Sequence, residues 1–202
     1  SVSLSSDGSR VAIGAYSNDG TNGANSGHVR IYDYDGSAWV QVGGDIDGEA
    51  ENDQSGRAVS LSSDGTRVAI GAKDNDGANG SNSGHVRIYD YNGSAWVQVG
   101  ADIDGEAVND NSGSSVSLSS DGSRVAIGAP ENGGNGSSSG HVRIYDYNGS
   151  AWVQVGADID GEAANDGSGY SVSLSSDGSR VAIGAYSNDG TNGANSGHVR
   201  IY

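Results

Sequence analysis

His85-Val86-Arg87-Ile88-Tyr89-Asp90-Tyr91, a turn at Asn92-Gly93, then Ala95-Trp96-Val97-Gln98-Val99-Gly100: this stretch decides the fold. Side-chain character alternates along both runs, the period of a strand with two distinct faces. Asn-Gly suits a two-residue hairpin because both residues tolerate positive φ. Upstream, Val59-Ser60-Leu61-Ser62 alternates in the same way, Ser63-Asp64-Gly65-Thr66 supplies a turn, and Arg67-Val68-Ala69-Ile70-Gly71-Ala72 returns. A polar loop from Lys73 to Ser83 joins the two hairpins, and Ala101 to Ser115 leads onward. The unit is a four-stranded antiparallel meander with no helical period.

The unit is copied. Gly84–Tyr89 returns as Gly27-His28-Val29-Arg30-Ile31-Tyr32, as Gly140–Tyr145 and as Gly197–Tyr202. Units begin at Ser1, Ala58, Ser115 and Ser171, dividing the chain into 1–57, 58–114, 115–170 and 171–202, the last holding the first three strands of a fourth unit. Ser171–Tyr202 is identical to Ser1–Tyr32. A supersecondary unit of this size cannot bury its apolar face without neighbours, so the units form one continuous array. The sequence predicts an all-β, β-propeller-type array of four-stranded antiparallel blades. Such blades are covered on both faces, which suits a third strand carrying Val86 and Ile88 on one face and His85, Arg87 and Tyr89 on the other. A sandwich or β-solenoid would also give many short strands, but a sandwich does not demand near-identical copies.

Composition narrows the partners. Asp and Glu number 26 against 10 Lys and Arg, a net charge of −16, the wrong sign for phosphate backbones or anionic membranes. Nucleic acid and membrane insertion are therefore excluded as expectations; no apolar run approaches the ~18 residues of a membrane span. With no Cys there is no disulfide or thiolate chemistry. The apolar residues lie in regular alternating blocks, unlike those of a disordered chain.

Several stretches resemble the FG-GAP repeat family, whose blades build the propeller of integrin α-chains and of many bacterial and algal surface proteins. They are Ser168-Gly169-Tyr170-Ser171-Val172-Ser173-Leu174, similar to the family's aromatic-Gly opening though the order differs, the literal Gly128-Ala129-Pro130, and Gly140-His141-Val142-Arg143-Ile144-Tyr145. The Trp strand and the link Asp158 to Gly169 resemble the bacterial-type variant. The resemblance covers the whole chain and implies an extracellular or cell-surface location. Two departures stand out. Tyr16, Lys73 and Tyr186 replace Pro after Gly-Ala, and the family's calcium-binding hairpin of alternating Asp and Asn is here Ser-Ser-Asp-Gly-Ser/Thr-Arg. One carboxylate cannot supply the six to eight oxygens that calcium takes.

Candidate metal ligands lie elsewhere. The acidic links present Asp45, Asp47 and Glu49, with Asp53, then Asp102, Asp104 and Glu106, with Asp110, then Asp158, Asp160 and Glu162, with Asp166. Clustered hard oxygens could hold calcium, but Asp and Asn also cap turns, so no cofactor is the favoured reading. Asp74 and Asp76 in the long loop are a second oxygen pair, lost in Glu131-Asn132-Gly133-Gly134. The four His residues, one per unit, read as strand packing rather than a metal ring. The arginines at 30, 87, 143 and 200 read as partners of Asp between blades, and Trp39, Trp96 and Trp152 as inter-blade packing rather than sugar stacking. Asn92, Asn148, Asn79 and Asn135 head Asn-Gly-Ser glycosylation patterns.

No nucleophile elbow or sialidase-type Asp-box is present, and near-identical blades offer the same residue repeatedly where catalysis needs unlike ones. The expectation is a non-enzymatic extracellular structural or adhesive scaffold. The alternatives are a glycan- or protein-recognition module using the long loops, with or without calcium, and, further off, a sialidase-like hydrolase. The fourth unit ends after its third strand, so self-association into a ring or fibre is also expected.

Overall fold

A computed structural model describes residues 1–202. It contains strands and turns and no helix, hence none long and apolar enough to cross a membrane. The first unit holds β1 (Val2–Leu4), β2 (Arg10–Ala15), β3 (His28–Tyr34), β4 (Trp39–Gln41) and β5 (Ile46–Asp47). The second holds β6 (Ala58–Leu61), β7 (Arg67–Ala72), β8 (His85–Tyr91), β9 (Trp96–Gln98) and β10 (Ile103–Asp104). The third holds β11 (Ser115–Leu118), β12 (Arg124–Ala129), β13 (His141–Tyr147), β14 (Trp152–Gln154) and β15 (Ile159–Asp160). The last holds β16 (Ser168–Leu174), β17 (Val181–Ala185) and β18 (His198–Ile201). Its first strand begins three residues before the unit boundary at Ser171.

Within a unit the first four strands pair antiparallel in chain order. The outer layer departs from expectation. The Trp strand is short, and the chain breaks away at Val99 and rejoins β8 two residues at a time, Ile103 opposite Val86 and Asp104 opposite His85. The outermost layer is thus two short strands on one partner, and part of the acidic link is sheet.

Alternation sets the core. In β7 and β8, Ala69, Val86 and Ile88 face the following blade, while Val68, Ile70 and Tyr89 face the preceding one. The first two seams therefore join Ala, Val and Ile of one blade to Val, Leu, Ile and Tyr of the next, with Trp96 or Trp152 packed at the margin, and the third joins Ala126 and Val142 to Val181 and Ile183. Val68, Val86 and Val125 are completely buried. Gly71 lets the chain close up at the entry to the next blade, because a Cβ there would overlap the carbonyl oxygen of Gly113, two residues before β11.

Polar bonds repeat at each seam. Ser3 Oγ accepts from the Leu61 amide at 2.9 Å and Ser60 Oγ from the Leu118 amide at 3.0 Å, stitching neighbouring first strands together. The Ser6 amide donates to the Ser63 carbonyl, Ser63 to Ser120, and Ser120 to Ser176, so the first turns form a ladder of their own. Arg10 pairs with Asp33 and donates to the Gly65 carbonyl; Arg67 does the same with Asp90 and Gly122. Trp96 Nε1 donates to the Val42 carbonyl and Trp152 Nε1 to that of Val99, each at 2.9 Å, so these two tryptophans bridge blades while Trp39, on the open face of the first blade, is exposed.

Candidate functional site

The acidic links end where the third strands begin. His85, the first residue of β8, is 1% exposed, and its Nδ1 lies 3.8 Å from Glu49 Oε2 of the preceding unit and 3.9 Å from Asp102 Oδ2 of its own link. Arg87 completes the group: Nη1 is 3.3 Å from Glu49 Oε1, and Nη2 donates to the Asp47 carbonyl at 2.8 Å. The next seam repeats it, with His141 3.8 Å from both Glu106 and Asp158, and Arg143 3.4 Å from Glu106. In the last, Glu162 meets His198 and Arg200.

Electrostatics follow from burial. Burial, reinforced by the Arg87 charge, pushes the His85 imidazole down to about 4, so it is neutral near pH 7. His141 shifts the same way for the same reasons. Burial pushes Glu49 up against the pull of Arg87, and it also raises Asp104. In the first unit, the hydrogen bond from Arg30 holds Asp45 down at about 2.

The predicted ligands are thus divided among different tasks. Asp45 is held by Arg30 and Gln41, while Asp47 lies near His28 and accepts from Thr21. Glu49, Glu106 and Glu162 reach across to the next unit's arginine. Asp102 and Asp158 accept from Gln98 and Gln154, while Asp104 and Asp160 offer their backbone carbonyls to Arg143 and Arg200. Asp53 is buried; it caps the Glu49 and Ala50 amides and accepts from Asn75 of the next blade. Asp74 pairs with Lys73, and Asp76 caps the Asn82 amide. Of the strand arginines, Arg87, Arg143 and Arg200 act between units, taking Glu and backbone carbonyls where Asp side chains were expected, while Arg30 pairs with Asp45 inside its own unit.

Glu49, His85 and Asp102 bring three donor atoms within 4.8 Å of one another, as do Glu106, His141 and Asp158, and His28, Asp45 and Asp47. These are one nitrogen and two oxygens, with a guanidinium already on one carboxylate, and that donor set does not suit calcium. The first hairpin does not suit it either. Asp64 Oδ1 accepts from Ser62 Oγ, the Thr66 amide and Thr66 Oγ1, a closed turn cap with no other carboxylate. The histidines were missed as members of this cluster. Asp102-Ile103-Asp104 alternating opposite His85-Val86 was the available signal, legible only once the link is seen as a strand.

The glycosylation candidates fall into two kinds. Asn92 and Asn148 stand exposed on the β8–β9 and β13–β14 turns, each Oδ1 capping the following amides. Asn79 and Asn135 donate from Nδ2 to the Gly105 and Gly161 carbonyls at 2.7 and 2.8 Å.

The FG-GAP repeat family model matches residues 46–89 and 157–202. No curated protein matches the chain in sequence. Among solved structures the chain is similar to Kuenenia stuttgartiensis hydrazine synthase, with a TM-score of 0.55 and 16% identity, covering 91% of this chain and 40% of that one. A likeness at that identity concerns the propeller-like fold alone.

Proposed function

We propose, from the premise that this chain carries FG-GAP repeats folded as propeller-like blades, that it is a non-enzymatic extracellular scaffold, structural or adhesive, that associates with further copies of itself. The observation that carries this reading is the seam. All three junctions use the same Arg-to-carbonyl bond, and the first two share the same apolar pairing and the same Trp-to-carbonyl bond. Residues that converge at the seams are repeats of one set, which supports packing over catalysis. FG-GAP repeats are typical of extracellular proteins, and a charge of −16 suits exposure to solvent.

Self-association draws on the same seam. Leu4, Val11, Ile13, Tyr32 and Trp39 of the first blade form an apolar surface, equivalent to the one on the second blade that the first blade covers. The occupant that fits it is the opposite blade face of a second copy. Sedimentation velocity at micromolar concentration is expected to find assemblies that Trp39→Asp reduces to monomer. A monomer at every concentration would refute self-association, and failure of surface proteolysis to release the protein from intact source cells would refute the location.

A further inference from the structure

Eight of the ten cationic side chains recur at fixed strand positions, as Arg10, Arg67, Arg124 and Arg180 and as Arg30, Arg87, Arg143 and Arg200. The other two are Arg57 and Lys73. Seven of the ten tyrosines likewise belong to the third strands; the other three are Tyr16, Tyr170 and Tyr186. These exceptions occupy two places in the unit. One follows Gly-Ala at the end of the second strand, where the units carry Tyr16, Lys73, Pro130 and Tyr186. The other is the residue just before each unit boundary, where they carry Arg57, Ser114 and Tyr170. Chemistry that is constant along the strands varies at these two places.

The fold brings the exceptions to one mouth. Arg57, Lys73, Tyr170 and Tyr186 line a single cavity of about 370 Å³ together with Asn111 and Glu131. Tyr16 stands beside it, its ring 5.1 Å from the Arg57 guanidinium. Tyr170 and Tyr186 meet at 4.5 Å with their rings inclined by 51°, and both are more than half exposed. Lys73 is neutralised by Asp74. Arg57 has no carboxylate partner, whereas seven of the other eight arginines do. In a chain with a net charge of −16, an unpaired guanidinium over the Tyr16 ring is a reserved anion contact.

From this geometry we infer that the cavity binds a small acidic saccharide, a sugar carrying a carboxylate or sulfate. The volume lies in the range of small-ligand sites. Arg57 offers a planar fork of donors to the anionic group. The exposed Tyr170–Tyr186 pair offers an apolar ring surface with polar rims, suited to the face of a sugar ring. Asn111 Nδ2 is committed to the Lys73 carbonyl and Asp74, which leaves its Oδ1 to accept from a hydroxyl. Glu131 shares its Oε2 with Ser138 and keeps Oε1 for a second hydroxyl. A carboxylate on the rim also disfavours a bare anion, which would meet Glu131 without a hydroxyl to offer it. The inference does not rest on the scaffold reading, since a monomer would hold the same cavity.

Ligand-observed NMR titration of the full chain, with methyl β-glucuronide, methyl β-glucoside and inorganic sulfate as probes, tests it. The glucuronide is expected to bind in the low-millimolar range or tighter, and the glucoside about tenfold or more weakly, a difference of about 1.4 kcal/mol. Arg57→Gln should cost the glucuronide a similar factor and leave the melting temperature unchanged, because the side chain is exposed. Tyr170→Ala should weaken both sugars together. Equal binding of glucoside and glucuronide, sulfate binding as tightly as the glucuronide, no effect of Arg57→Gln, or no binding by any probe would each overturn the assignment. Oligomeric state, read separately by sedimentation, reports on the scaffold alone.

Discussion

Single side chains here are mostly turn builders, and their titration should reveal it. The Ser9 amide, with the Ser5 and Ser9 hydroxyls, holds Asp7 down at about 2. The Ser175 hydroxyl does the same for Asp177, also at about 2, and that of Ser119 lowers Asp121. An unfolded Asp titrates near ~3.9, so as pH falls the unfolded chain takes up protons first. The stabilisation is complete above about pH 4 and disappears as pH falls towards about 2. Urea unfolding across that window should lose stability steeply, and Asp121→Asn should make the loss shallower. At the same scale, secretion from a eukaryotic host should place glycans on Asn92 and Asn148 while Asn79 and Asn135, whose amide nitrogens are engaged, stay bare. Peptide mapping by mass spectrometry that finds sugar on Asn79 would contradict this. These turn roles were readable in advance, since Asp-Gly and Asn-Gly between alternating runs state their own geometry. The destination of Glu49 was not, because its arginine partner lies 38 residues away in the next unit.

Strands were legible to the extent that one face of each is constant. The alternation of Val68, Ile70, Val86 and Ile88 located the hairpins and both covered faces, whereas Ile103–Asp104 escaped notice. Two residues carry no period, and only pairing with β8 makes them a strand. Gly71 approaches the Gly113 backbone too closely to admit a Cβ, so Gly71→Ala should destabilise by about 2–3 kcal/mol through overpacking. Trp96→Phe keeps most of the packing and loses the bond to Val42, costing about 1 kcal/mol. Equilibrium urea unfolding ranks the two, and a neutral Gly71→Ala would disprove the close backbone approach. Calcium is a further check on elements. With Asp64 closed into a turn cap and Glu49 held by arginine, millimolar calcium should leave the melting temperature within about 1 °C, since only ligands of the native state stabilise it. A rise of many degrees would place an ion in the links after all.

For the whole molecule, 26 acidic groups on 202 residues repel one another, and many are exposed. Raising sodium chloride from about 10 to 150 mM shortens the screening length from about 30 to 8 Å and should raise the melting temperature. A fall would mean that the seam ion pairs outweigh the general repulsion. The serine ladder bears on how such a chain changes length over generations. Its bonds join Ser6 to Ser63, Ser63 to Ser120 and Ser120 to Ser176, nearly one full unit apart each time. A genetic crossover between misaligned copies removes or adds a whole unit, and every donor in the new chain still finds an acceptor at the same offset. Slippage during replication, ruinous for most folded domains, is here a conservative edit. The unit that folds is also the unit that can be gained or lost.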